Sequence, residues 1–444
     1  MSTPDRLRTW LAFVEEHPHD FTIQYPPRRE YFMRHFRSAP PPSLHEWLGQ
    51  DPELLLYLHV PFCEAKCYYC NFAVDVSPSP EVHRAYVDAL LSELDSHAPW
   101  LTQRRVLGVD IGGGTPTRLP TSELARLLEA LRPFVHRDAH PFPVSIETTP
   151  RIAAAEPEKL AVLRAGGVDR VSLGVQSFNA ETLASVNRRR QIEQTSQAVA
   201  NARAAGFARV NLDVIFALPN QTLADWQTDL DRVVELAPDS VTTYDCLYRG
   251  HGRVLTRRTA TLPAPETYGA LYDAAYQRLT AAGYHANYGS VNFSRRPDET
   301  GTSAYFEGRL LDGRPYLGLG NYSTSLARNQ WAFNVHPVRE YTDRIAAGQN
   351  PVEFFYDLPL AESQAKYALY SLNYGFIDEA RFEHRFGVPL HESFNPELTY
   401  ALETGWLEHR ENRWHVTPGE FAKMHAIRSL FYPEMAREWL MSLA

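Results

Sequence analysis

Cysteine is nearly absent from this chain. Four thiols among 444 residues cannot build the disulfide framework of a small secreted protein, so nothing calls for an oxidising compartment. Lysine is as scarce, at Lys66, Lys159, Lys366 and Lys423 only, while arginine is abundant. That bias suggests a coding sequence rich in G+C and says nothing of mechanism. A net charge of −9 gives no overall pull toward nucleic acid or anionic lipid. No stretch approaches the ~18 apolar residues of a membrane span. The N-terminal "MSTPDRLRTW" lacks the basic-then-apolar order of a secretory signal. The expectation is a cytoplasmic globular protein with no nucleic-acid or membrane partner.

What is present alternates. Apolar runs at 54–60, 106–111, 144–148, 170–175, 209–216 and 240–245 read as strands. Helical patterns at 80–97, 121–134, 156–165, 191–205 and 222–236 separate them, with Asn179 as an N-cap and Gly206 as a stop. Such alternation predicts βα units around a parallel sheet, either a partial six-stranded barrel or a doubly wound sheet. Residues 1–50, with a short helix at 5–16, the irregular "HDFTIQYPPRREYF" and the proline cluster "SAPPPS", read as a lead-in arm. After about 250 the alternation weakens. A helix at 265–282 and a Gly-rich turn, "YLGLGNYSTS" (316–325), extend the core to about 335. Patterns at 338–347, 361–372, 378–385 and 418–441 then predict a mainly helical region over 336–444.

Three of the four cysteines, Cys63, Cys67 and Cys70, fall within eight residues, just past the first expected strand. The ends of parallel strands are where α/β proteins build their sites. Thiolates so spaced can converge on one centre, and they suit zinc or an iron–sulfur cluster. With His59 as a fourth ligand they would make a Cys3His zinc site. With three thiolates alone, a cluster keeps one iron open to a substrate or cofactor, unlike the four-cysteine ferredoxin sites. A site without metal is the remaining reading. The neighbouring Phe62, Tyr68, Tyr69 and Phe72 serve either as packing or as a shield for such a group.

The spacing C-x3-C-x2-C, with an aromatic before the last cysteine, resembles the radical S-adenosylmethionine superfamily. "YLHVPFCEAKCYYC" (57–70), "IGGGTPT" (111–117), "SIETTP", "SLGVQSFNAETLASVNR" and "VNLDVIFALP" follow in order. Together they resemble the oxygen-independent coproporphyrinogen III oxidase family, and "LNYGFIDEARFEHRFG" (372–387) is similar to that family's C-terminal domain. The resemblance implies an α/β fold, a partial six-stranded (β/α) barrel with a mainly helical C-terminal domain. It implies a [4Fe–4S] cluster on Cys63, Cys67 and Cys70, whose reduction cleaves S-adenosylmethionine to a 5′-deoxyadenosyl radical. Tyr57, Gly113 and Glu147 would contact the S-adenosylmethionine on the open iron. Tyr69, Gly114, Thr115, Gln176, Arg188, Asp213, Ile215 and Asp245 stand at cofactor-binding positions, most of them those of a second S-adenosylmethionine. A flavodoxin or ferredoxin is the implied reductant.

The departures carry information. The oxidase has another cysteine two residues after the last ligand; here that position is Phe72. The heme-chaperone branch lacks that cysteine, but it usually lacks an arm and carries an Asn–aromatic motif not matched by "TSAYFEGRLLDGRPYLGLG" (302–320). Ala217 replaces the usual glycine after the fifth strand, and "YDCLYRGHGR" (244–253) fits neither branch. Cys246 there is a candidate catalytic thiol, set against the ordinary reading of a buried small hydrophobe. These features favour the family's third branch, radical C-methylases and cyclopropanases of natural-product pathways acting on small molecules. Heme-related chemistry is the alternative, whether porphyrinogen decarboxylation, anaerobic heme degradation or heme carriage.

Overall fold

The computed structural model describes residues 3–21, 25–26, 28–40, 48, 51–77, 79–138, 140–188, 192–248, 253–258 and 262–443. Most of the proline cluster and residues 249–252 of the unmatched segment lie outside them.

Six strands run parallel in one sheet: β2 (Glu53–Val60), β3 (Arg105–Gly113), β4 (Val144–Thr148), β5 (Arg170–Gln176), β6 (Arg209–Phe216) and β7 (Ser240–Asp245). They are the six strands expected from the apolar runs. The sheet does not close on itself. Beyond β7 lies antiparallel β8 (Asn292–Ser294). On the other side β2 pairs in parallel with β9 (Tyr316–Leu319). The antiparallel β10 (Thr324–Ala327), β11 (Gln330–Asn334) and β12 (Val352–Asp357) follow, and β1 (Arg37–Ser38) ends a twelve-stranded sheet. The architecture is a partial barrel continued by a curtain of antiparallel strands.

Register sorts the side chains. Glu147 lies opposite Ser172, and Ser172 opposite Asn211. Asp110 faces Ser145, and Asp213 faces Thr242. Successive side chains of a strand point to opposite faces. These polar residues therefore share the inner face, while Ile146, Val171, Leu173, Val210 and Leu212, all buried, lie under the helices.

The helices are punctuated as the sequence suggests. Asn179 caps its helix by accepting from the backbone N–H of Glu181 (2.9 Å) and Thr182 (3.1 Å). Gly206, at φ +83°, takes the left-handed turn that ends another. Three expectations fail locally. The pattern at 418–441 is not one helix but a 3-10 turn (Glu420–Lys423) and two helices, Met424–Leu430 and Glu434–Met441. They break at Pro433, which cannot donate to a continuing helix. The pattern at 156–165 is preceded by a separate helix, Pro150–Ala155, capped by Thr149. A further helix, Leu390–Glu403, escapes notice because Pro396 and the non-helical Phe394 (φ −136°) interrupt its period. A small antiparallel sheet, β13 (Phe376–Asp378), β14 (Leu407–Arg410) and β15 (Arg413–Val416), sits among these C-terminal helices.

The N-terminal residues are tied down rather than trailing. Helix Thr3–Glu16 buries Trp10 completely, and its indole N–H donates to the Ser429 carbonyl (2.9 Å). The hydroxyls of Tyr31 (2.6 Å) and Tyr25 both donate to the buried carboxylate of Glu362. Replacing Trp10 with Ala leaves a cavity and an unpaired carbonyl. A loss of about 3–5 kcal/mol is expected, read as an earlier urea midpoint of the apoprotein; an unchanged midpoint would show the helix to be dispensable.

Candidate active site

The residues picked out by the sequence gather at the carboxyl ends of β2 to β6. The loop after β2 carries the three cysteines, each half-buried. Its ends are stitched together, Cys63 N–H to the Asp75 carbonyl (2.9 Å) and Asp75 N–H to the Pro61 carbonyl (2.8 Å). A tight turn brings Cys70 N–H to the Cys67 carbonyl (3.2 Å), and Tyr68 N–H reaches across to the Val186 carbonyl (2.9 Å). Beneath it Phe62, fully buried, packs on Tyr86 and His83.

The Gly-rich turn after β3 lies directly against this loop, with Gly114 N–H on the Val60 carbonyl and Thr115 N–H on the Phe62 carbonyl. A Cβ at Gly114 would stand 2.6 Å from the Pro61 carbonyl, one at Gly113 2.4 Å from the His59 ring, and one at Gly112 2.8 Å from the Glu147 carboxylate. Gly113 also has φ +112°, a conformation favouring glycine.

His59 is fully enclosed. Its Nε2–H donates to the Ala73 carbonyl (3.1 Å), which leaves Nδ1 to accept from the Tyr57 hydroxyl (3.3 Å). Burial pulls its pKa down to about 4, so it is neutral. With both nitrogens engaged it is not the fourth ligand of a Cys3His zinc site. A tetrahedral zinc with ~2.3 Å bonds needs its thiolates about 3.8 Å apart. Among the described residues no three His, Cys, Asp or Glu side chains are grouped to hold a single metal ion. Three half-buried thiols around a loop, without a fourth, have the chemistry of a donor set for a larger cluster.

The thiols feel one another. Burial, with Cys70 and Cys67 adding, pushes Cys63 up to about 12, and Cys70 is raised as well. Thiolates there require positive charge beside them. Arg188 supplies one: it is half-buried, Nη1 lies 3.9 Å from Cys67 Sγ and Nη2 donates to the Gly174 carbonyl. Thr115 Oγ1 stands 3.7 Å from Cys63 Sγ. Gln176, in the left-handed region at φ +73°, turns its side chain over Gly174 beside Arg188. Tyr69 packs with Ile215 in a small apolar cluster that also holds Cys246.

Further in, Glu147 accepts from Gly113 N–H (3.2 Å). Burial first, then the charges of Asp213 and Asp110, push it up to about 8. Asp213 accepts from Ser172 Oγ (2.7 Å) and Asn211 Nδ2 (2.8 Å) and is also raised, mainly by burial. Both line a cavity of about 80 Å3 with Asp110, Arg170 and Tyr244, floored by Ser303 and Tyr374. Tyr57 stacks on Tyr305 behind it, 5.6 Å between centroids.

Ten of the eleven expected cofactor-contact residues therefore surround one site with the three cysteines. Asp245 does not join them. It lies with Cys246 on a second cavity, between β7, the N-terminal residues and the C-terminal region. Cys246 is buried, which pushes its thiol far above the ordinary range and keeps it protonated. That fits the small-hydrophobe reading. Sequence reasoning missed the polar wall formed by Asp110, Arg170, Ser172, Asn211, Thr242 and Tyr244. Its signal was the alternation of polar and apolar residues in "RVSLGV" and "RVNLDVIF".

Residues 57–233 match the radical SAM superfamily and residues 377–421 the HemN C-terminal domain. The oxygen-independent coproporphyrinogen III oxidase of Salmonella typhimurium is 32% identical over 338 residues, covering 72% of this chain and 71% of that protein. The Escherichia coli enzyme of the same name is 32% identical over 302 residues, 65% of its length. The heme chaperone HemW of E. coli is 26% identical over 400 residues, covering 86% and 99%. The solved coproporphyrinogen III oxidase (HemN) of E. coli superposes with a TM-score of 0.76 at 26% identity, covering 94% of this chain and 98% of that one.

Glu147 is held protonated through a pH range in which the unfolded chain ionises it. The native state then binds more protons than the unfolded one, so stability falls as pH rises from about 4.5 to 8. Glu147→Gln is expected to remove that dependence, up to about 5 kcal/mol across the range. Urea melts of the apoprotein at pH 5 and pH 8.5 check it: the variant should gain on the wild type only at the higher pH, and equal slopes would contradict the buried placement.

Proposed function

Since the chain belongs to the oxygen-independent coproporphyrinogen III oxidase family of radical SAM enzymes, we propose that it acts on a tetrapyrrole in heme-related metabolism. The observation that carries this reading is similarity of both kinds to one relative. The match to the oxidases extends over most of the chain, and the superposition on the E. coli oxidase covers 94% of it. Enzymes of the superfamily use a [4Fe–4S] cluster, S-adenosylmethionine, a reductant and a small-molecule substrate. In this reading residues 51–250 carry the chemistry, and 1–50, 251–335 and 336–444 cover it.

When bound, the reduced cluster and S-adenosylmethionine supply a hydrogen-abstracting radical; the protein's work is to bind, orient and shield. Cys63, Cys67 and Cys70 would hold three irons, with Arg188 lowering the cost of three thiolates in a half-buried loop. Glu147 and Asp213 offer carboxylates to ammonium and hydroxyl groups. Binding a cation there returns Glu147 to its ionised form. Gly113 and Gly114 let the turn lie against His59 and Pro61, which sets its backbone beside the thiol loop. Ile215 and Tyr69 present an apolar wall for an adenine or a substrate ring. Gln176 and Arg188 stand ready for a second S-adenosylmethionine, and a ferredoxin or flavodoxin is the reductant that suits the family.

One observation favours a second reading. Phe72, where the oxidase has its extra cysteine, is 49% exposed beside the thiol loop. It gives no proton donor or thiol there, which suits the methylase–cyclopropanase chemistry expected from the sequence. The relatives favour the tetrapyrrole reading over it.

Each of Cys63→Ala, Cys67→Ala and Cys70→Ala should reduce cluster loading to background, measured as iron and sulfide per chain and as loss of the visible charge-transfer absorption. A variant that keeps a full cluster would remove that residue from the ligand set. The reconstituted holoenzyme, given reductant, methyl-deuterated S-adenosylmethionine and coproporphyrinogen III, should form unlabelled 5′-deoxyadenosine as the tetrapyrrole is consumed. Deuterium in the 5′-deoxyadenosine, with the tetrapyrrole untouched, would replace the proposal with the methylase reading. Stoichiometric heme binding without any cleavage would replace it with heme carriage.

A further inference from the structure

The second cavity, about 50 Å3 at the end of β7, is not part of the site described above. Four separate parts of the chain enclose it: His19 and Phe21 from the N-terminal residues, Asp245 and Cys246 at the end of β7, Pro265 and Tyr268 from helix Pro265–Ala281, and His425 and Arg428 from helix Met424–Leu430. Its distinguishing feature is Arg428. The side chain is only 2% exposed, yet Nε and Nη2 have no hydrogen-bond partner. Among the described residues no carboxylate lies within ion-pair distance of it; Asp245, which lines the same cavity, attracts it. A buried guanidinium with idle donors costs several kcal/mol unless something fills the space beside it.

The two idle atoms are informative. Nε–H and Nη2–H lie side by side on one edge of the guanidinium, the edge that grips both oxygens of a carboxylate in parallel. The volume suits a single carboxylate group. Asp245, on the same cavity, repels any anion, and a doubly charged phosphate more than a carboxylate. Cys246 sets the cavity next to the active site, because it lines the one and belongs to the apolar cluster that holds Ile215 and Tyr69 of the other. We propose that Arg428 forms a carboxylate-binding subsite at the rim of the barrel, which receives an acidic side arm of the substrate. The substrate part of this inference rests on the tetrapyrrole reading; the subsite itself does not.

Two arms of one experiment separate them, both on the anaerobic holoenzyme. In the first, thermal unfolding is followed with sodium acetate against sodium chloride at equal ionic strength. Acetate should raise the Tm of the wild type but not of Arg428→Gln, with Arg428→Lys between, because lysine keeps the charge without the fork. In the second, coproporphyrin III and its tetramethyl ester are titrated by fluorescence. Arg428→Gln should weaken the free acid by about thirtyfold or more, leave the weaker ester unchanged, and leave S-adenosylmethionine affinity unchanged. A wild type indifferent to acetate that binds acid and ester equally would overturn the subsite, whatever becomes of the variants. So would an Arg428→Gln protein that matches the wild type in both arms. An acetate effect that depends on Arg428, with no coproporphyrin binding to the wild type, would uphold the subsite for a free or different carboxylate and sink the tetrapyrrole reading instead.

Discussion

No side chain fits at Gly113 or Gly114, one at Gly112 would displace the Glu147 carboxylate, and the geometry of the site follows from that. The three positions press in turn on the Glu147 carboxylate, the His59 ring and the Pro61 carbonyl. The turn that they form hydrogen-bonds to Val60 and Phe62 and thereby fixes the root of the cysteine loop. Strands β2, β3 and β4 bring these groups together only because the backbone between them is bare. Enlarging any one glycine would part the loop from the sheet or drive Glu147 from the cavity.

The inner wall faces an opposite difficulty. Its carboxylates, Asp110, Glu147 and Asp213, share little positive charge beyond Arg170, and burial raises all three, Asp110 to about 6. A wall of this kind is costly to ionise while empty of cations and favourable once an ammonium or sulfonium approaches. The thiol loop presents the converse arrangement, with Arg188 reaching into a cluster of potential anions. Charge is thus divided by depth: cation-seeking groups below, a guanidinium above. A ligand that carries both an ammonium and a carboxylate is oriented by that division as well as by its shape.

The parallel core was legible because each strand–helix unit bears its own local signals, apolar runs, Asn179 as a cap and Gly206 as a stop. The cysteine loop was legible because its spacing leaves few chemical uses for three thiols. Other features depend on partners remote in sequence. The apolar runs suggested strands buried on both faces, and the polar members at every second position were passed over; only register aligns Glu147, Ser172 and Asn211 into one wall. Asp245 looked like one more strand-end carboxylate. It sits at the end of β7 and turns to the opposite face from Tyr244, so alternation sends it to the second cavity. The helix Leu390–Glu403 was hidden by its own proline, and the break at Pro433 by the apolar residues on either side of it.

What remains undivided between related chemistries lies in the cover rather than the core. The core residues would serve any enzyme that cleaves S-adenosylmethionine. Other groups stand around them: Phe72 exposed beside the thiol loop, Ser303 and Tyr374 on the inner cavity, His19 and Arg428 on the second. The N-terminal residues reach the C-terminal region through Trp10 and through the two tyrosines that share Glu362. That clamp holds the rim together from both ends of the chain. A sequence can therefore keep the strand residues of the barrel and still differ in the loops at its rim, where Phe72 and the segment after β7 stand.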